Sequence, residues 1–359
     1  MKKIMMAAMA VALIFGATSC KKDKDNDRPN GEEAEYVTGI FNPSKHIKTV
    51  SGPSVAQRWN WDGSSLTSIS DNENLTSYSF VYKGSGRQGV VNYQDAEQTR
   101  RYTYSYDEGT LDNIEFREND QLMYNGQAFY QSGKLSHMNY TNLSTKFMLQ
   151  TANRQLGLNL PTESTISMPN PSFTVDYTWT GSNISSEKIN VTLNGTVGVQ
   201  ELFDLFGNQL GGNMGSYAAI LPLIIQSMGD MTADFTITIN RNEAYTYDSK
   251  KNPFYGYWGD GLLFNTKVLS KNNMLTSSTT GSVRFQSQIR ITLPEQCPEW
   301  LSQYASMWAI VRAFLNNREL PVDQTMPLDN NQTFTFKYNG DNYPTQMTNA
   351  DGQTFSYGY

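Results

Sequence analysis

Side chains able to do covalent or acid–base chemistry are scarce in this chain. It has two histidines, His46 and His137, and two cysteines, Cys20 and Cys297. A nucleophilic triad needs a base, usually histidine, beside a serine or cysteine. His46 lies in the lead-in Asn42-Pro43-Ser44-Lys45-His46, His137 falls between Leu135 and Met138, and no Gly-x-Ser-x-Gly elbow accompanies either. Both histidines, and the lone Cys297, read as structural residues. The same scarcity leaves too few ligands for zinc or copper. Asp107, Asp248, Asp260 and Asp351 stand beside turn glycines or asparagines, where turn geometry alone asks for aspartate. A pair of carboxylates for glycoside hydrolysis meets in space rather than along the chain, so that chemistry stays as a minor alternative. The expectation is a protein that is not an enzyme, with no cofactor and no metal.

The remaining feature with chemical potential is aromatic. Tyr255, Tyr257 and Trp258 crowd a glycine-rich segment that ends in Asp260. Aromatic platforms stack on the apolar faces of sugars while neighbouring polar groups take the hydroxyls, so these four residues are the candidate ligand-binding set. The longer tyrosine rows, such as Tyr102, Tyr104 and Tyr106, read as core.

Those rows imply the elements that carry them. From Trp59 onward, two or three aromatics alternate with polar residues, a Gly or Asn turn follows, and a second short strand appears. Copies start at Trp59, Tyr78 and Tyr102, with a weaker one from Tyr124 to Met138 and later ones at Tyr245, Phe334 and Phe355. Each copy reads as one β-hairpin. Two segments break the pattern: 201–228 has helical spacing interrupted by Gly211-Gly212, and 298–317 places Leu301, Tyr304, Trp308, Val311 and Leu315 on one helix face. The expected architecture is mainly β with minor α. One domain, 36–359, would form a long curved antiparallel sheet of consecutive hairpins, with a helix-loop-helix and an amphipathic helix packed on a face.

The aromatic-x-aromatic-x-Tyr-Asp-x-x-Gly hairpins resemble the YD repeats of Rhs-type proteins. Tyr247-Asp248 through Asn252-Pro253-Phe254-Tyr255-Gly256, Leu269-Ser270-Lys271-Asn272-Asn273 and Tyr343-Pro344-Thr345 resemble Bacteroidetes surface lipoproteins of unknown function, the DUF4595-like group. The resemblance covers about half the chain. It implies a surface β-sheet protein and carries over no catalytic residues.

The N-terminus supplies an address. Lys2 and Lys3, an apolar run from Ile4 to Phe15 and the small residues Gly16 to Ser19 form an export signal, too short to span a bilayer stably, with cleavage before Cys20. This end resembles the lipobox of bacterial lipoproteins, with Ala17 where leucine is commonest, and implies acylation of Cys20. The stretch 20–35 has almost nothing apolar to bury and reads as a disordered tether. Its Asp23, Asp25 and Asp27 do not make a calcium loop, because Arg28 and Ala34 stand where glycine and glutamate are required. The acidic run resembles a surface-export signal and points to the outer membrane, with the protein facing the exterior.

A net charge of −6, more negative once Lys2 and Lys3 are removed, excludes nucleic acid as a partner. The expected partners are the membrane, through the lipid, and a glycan or surface protein. The leading reading is non-catalytic binding or adhesion. The alternative is a carrier that holds a hydrophobic ligand between curved sheet and helices.

Overall fold

Alternating aromatic and polar residues favour the pleated strand, which sends successive side chains to opposite faces. Strands accordingly dominate the computed structural model of this chain, which describes residues 37–147, 166–199, 201, 232–263, 265–290, 293–297, 299, 302, 305–317 and 319–359. The first nine strands are β1 (Thr49–Gly52), β2 (Val55–Asp62), β3 (Ser65–Asp71), β4 (Thr76–Lys83), β5 (Arg87–Gln94), β6 (Thr99–Asp107), β7 (Thr110–Glu118), β8 (Gln121–Gln131) and β9 (Lys134–Thr141). Then come β10 (Phe173–Thr180) and three long strands, β11 (Asn183–Gly198), β12 (Thr232–Lys251) and β13 (Asn272–Arg290). Helix α1 (Ala305–Leu315) precedes β14 (Glu319–Pro327), β15 (Asn330–Tyr338), β16 (Pro344–Asn349) and β17 (Thr354–Gly358).

Neighbouring strands pair antiparallel, and the two ends of the sheet meet. On β1 and β17, Thr49 lies opposite Gly358, Val50 opposite Tyr357 and Ser51 opposite Ser356. Strands β14 and β15 share one place in the wall: β13 pairs with β15 over Thr276–Thr279 and with β14 over Ser282–Arg290. Gly281 sits at that switch with φ +139°, and a Cβ there would lie 1.9 Å from the Asn240 carbonyl oxygen. The result is a closed antiparallel barrel of 16 strands.

This corrects the expected open sheet with helices packed on a face. A hairpin pattern is the same in an open or a closed sheet, and closure depends on one pairing between opposite ends of the chain. Closing the sheet removes both unpaired edges and moves the core inside. Of the expected helices, 298–317 contains α1, an 11-residue helix with Trp308 buried. The segment 201–228 lies outside the described residues except for Glu201, as do the leader, Cys20 and the tether.

The wall is polar outside and apolar inside. On β11, Ile189, Val191 and Leu193 point inward and are buried, while Lys188, Asn190, Thr192 and Asn194 are exposed. On β4, Ser77, Ser79, Val81 and Lys83 are exposed on either side of buried Phe80. A lipid-spanning barrel has the reverse arrangement, with an apolar band outside.

One end of the barrel is plugged. The connection 252–271 turns inward, and Asn252 ties its two ends together. The Asn252 amide donates to the carbonyls of Lys267 (2.7 Å) and Ser270 (2.8 Å), and its Oδ1 accepts from Phe254 N–H (3.0 Å). The lead-in 37–48 crosses the same end: Val37 O accepts from Leu111 N–H, and Ile47 O accepts from Trp61 Nε1. Lead-in and plug approach so closely at Gly256, φ +82°, that a Cβ would lie 2.5 Å from the Ile40 carbonyl oxygen.

Candidate ligand cavity

On β12 the inward face begins as Phe235, Ile237 and Ile239 and then changes character to Arg241, Glu243 and Tyr245. All six alternate with outward neighbours on one strand. Glu187 on β11 stands directly opposite Glu243, an unfavourable placement for two like charges. One guanidinium holds them. Arg241 Nη1 donates to Glu187 Oε1 at 2.9 Å, Arg241 Nη2 donates to Glu243 Oε2, and Ser277 Oγ on β13 donates to Glu243 Oε1 at 2.6 Å. The Glu187 side chain is 2% exposed, and a charge this far from water is costly unless it is paired and hydrogen-bonded, as the shared guanidinium provides.

The cluster faces a cavity of about 880 Å³ inside the barrel. It runs from Phe254 and Asn265 of the plug to Val55 beside the β1–β2 turn at the other end, and its walls carry Met274, Phe334, Phe336, Met347, Phe355 and Tyr357. Arg241, Glu243, Ser277 and Gln57 supply polar groups, with Trp59 Nε1 donating to Gln57 Oε1 at 3.1 Å. The two arcs of the barrel differ. Inward residues of β3, β6 and β7, such as Leu66, Tyr104 and Leu111, are fully buried, whereas Phe334, Phe336, Met347 and Phe355 are only half-buried because they border open space.

The aromatics singled out by sequence fall on the filled arc. Trp258 is 1% exposed and Tyr257 6%. The Trp258 ring stacks near Tyr106, centroids 6.2 Å apart, and tilts against Tyr104 at 5.0 Å; Tyr257 packs on Trp59, Phe41 and Phe80. Burial pushes the hydroxyls of Tyr104 and Tyr257 well above the ordinary tyrosine range. Tyr255, at 37%, reaches the surface, and exposed Asp260 accepts a hydrogen bond from Tyr78 at 2.8 Å. The four residues therefore do not form a common surface platform.

The histidines stack on neighbouring rings. His46 lies on Trp61 at 4.0 Å and His137 on Phe129 at 4.4 Å, with burial lowering the His137 pKa against a smaller upward pull from Asp176. Cys297 is half-buried. Asp248 does more than shape a turn: Tyr338, Asn273 and the Lys250 N–H all donate to it, which ties β12, β13 and β15 together. The residues that sequence reasoning passed over are Glu187, Arg241 and Glu243. Among the described residues no group of three or more His, Cys, Asp or Glu side chains is placed to hold a metal ion.

In comparisons with known proteins, no family model matches the chain and no curated protein matches it.

Proposed function

We propose that this chain is a non-catalytic binding lipoprotein of the bacterial outer membrane, which takes a small, largely apolar molecule into its barrel. The observation that carries this reading is the cavity: about 880 Å³, with apolar and aromatic walls and a few polar groups gathered at one place. Ligand sites generally have that size and make-up, about 300–1,000 Å³. Glu187 and Glu243 are both spent on the same guanidinium, so neither is set apart as the acid that a glycosidase pair requires.

A closed 16-strand barrel is compatible with an outer-membrane protein, and among the described residues no helix is long and apolar enough to cross a membrane. The polar outer face supports attachment through an acylated Cys20 rather than through the wall. Val37 lies at the plugged end, so a tether running from Cys20 would turn that end toward the membrane.

Two measurements test the reading. Calorimetric titration of the full chain with decanol should give saturable one-to-one binding, lost in Gln332→Trp, which places an indole in the cavity from an exposed position. No heat of binding, or binding indifferent to the indole, would remove the cavity from the account. Radiolabelled palmitate should enter the wild type and not Cys20→Ser; equal labelling of both would remove the anchor.

A further inference from the structure

We infer that the molecule bound is a cationic amphiphile whose protonated amine sits against Glu243 while its tail lies along the aromatic wall. This rests on the cavity reading and adds the charge of the ligand's polar end. Glu187 and Glu243 bring two negative charges to the inner wall, and Arg241 returns one positive charge. Glu187 stands behind Arg241 rather than on the cavity surface, and among the described residues the further charged side chains that line the cavity, Lys267 and Asp329, are of opposite sign and both exposed, so they do not alter the balance at depth.

Behind Asn273, which also lines the cavity, Asp248 adds a further carboxylate. The lysines next to it are directed elsewhere: Lys250 Nζ to Asn342 Oδ1 at 2.8 Å, and Lys251 Nζ over the Tyr343 ring at 5.0 Å. Among the described residues this part of the inner wall thus carries more negative than positive charge, where attraction between charges is stronger than in open water.

An ammonium group meets this deficit in three ways. It offers three donors to carboxylate lone pairs, it balances the charge of the cluster, and it lies near Tyr245, whose ring face attracts cations. The tail then has Phe334, Phe336, Met347 and Phe355 to cover. A carboxylate-headed amphiphile of the same length would meet net negative charge and be rejected.

The test compares decylamine, decanol and decanoate by calorimetric titration into the full chain at neutral pH. A charge-assisted hydrogen bond predicts that the amine binds about tenfold or more tightly than the alcohol, with the carboxylate weakest. In Glu243→Gln the ratio of amine to alcohol affinity should fall toward one. Equal affinities for amine and alcohol in the wild type, a carboxylate that binds best, or an amine advantage that persists in Glu243→Gln would each overturn the inference. If the alcohol binds and the amine shows no advantage, the cavity reading stands and this one fails; if none of the three binds, both fail. The wild-type comparison decides even where the variant does not fold.

Discussion

Replacing Gln88 with methionine should loosen the plug. Gln88 is fully buried on β5 and holds three segments together: its Nε2 donates to Gly39 O (3.2 Å) and Gly256 O (2.7 Å), and its Oε1 accepts from Trp258 N–H (3.2 Å). Gly39 O keeps a second bond from the Gln88 backbone N–H at 2.9 Å. Methionine, of similar length, therefore leaves two main-chain groups without their side-chain partner, the part-buried Gly256 O and the buried Trp258 N–H. Each such group costs about 1–3 kcal/mol, and the added apolar burial returns about 1–2 kcal/mol, so the net loss lies between about 0 and 5 kcal/mol and centres near about 2–3 kcal/mol. Hydrogen exchange followed by mass spectrometry should show peptides spanning 252–271 exchanging about tenfold faster, while peptides from β11 and β12 change little. Unchanged exchange over 252–271, with stability to urea within about 0.5 kcal/mol of the wild type, would refute this account of what holds the plug.

Other predictions follow from particular contacts. Gly281→Ala forces a Cβ against Asn240 O at a positive φ and should cost at least about 2 kcal/mol by urea denaturation; a neutral result would deny the strand switch from β14 to β15. Burial pushes the hydroxyls of Tyr82 and Tyr357 up to about 12. A raised folded-state value gives stability that is complete below the unfolded pKa of about 10 and lost as pH rises from there through about 12. Circular dichroism and tyrosinate absorbance should therefore change together over that window, and ionisation of every tyrosine near pH 10 in a still-folded chain would contradict the buried rows.

How much of this was legible differs from residue to residue. The rows at Trp59, Tyr78, Tyr102 and Tyr124 mark the strands β2, β4, β6 and β8, because period-two alternation is a local property of the pleat. Closure is not local. It rests on Thr49, Val50 and Ser51 meeting the last residues of the chain, and nothing in either segment names the other. Trp258 stands in a glycine-rich segment outside the tyrosine rows, and its sequence neighbours do not reveal that the plug carries it inside against Tyr104.

The charged cluster left a trace that could have been read. Phe235, Ile237, Ile239, Arg241 and Glu243 share one parity, and Glu187 shares the parity of Ile189, Val191 and Leu193. Charges that continue an apolar face are either at an exposed end of a strand or buried for a reason. Telling these apart needs the register that puts Glu187 opposite Glu243.

The claim on which the fold and the cavity both depend is that β1 meets β17. Ser51 and Ser356 are exposed, face outward and lie directly opposite one another, so their Cα separation falls within the range a disulfide spans, about 4.4–6.8 Å. With Cys20 and Cys297 replaced by serine, the pair Ser51→Cys and Ser356→Cys should oxidise under mild conditions in the folded chain to one intramolecular bridge, visible as faster migration on a non-reducing gel and loss of both titratable thiols. Two thiols that remain titratable in the folded, oxidised sample would mean that the ends of the sheet stand apart and that no closed barrel surrounds the cavity.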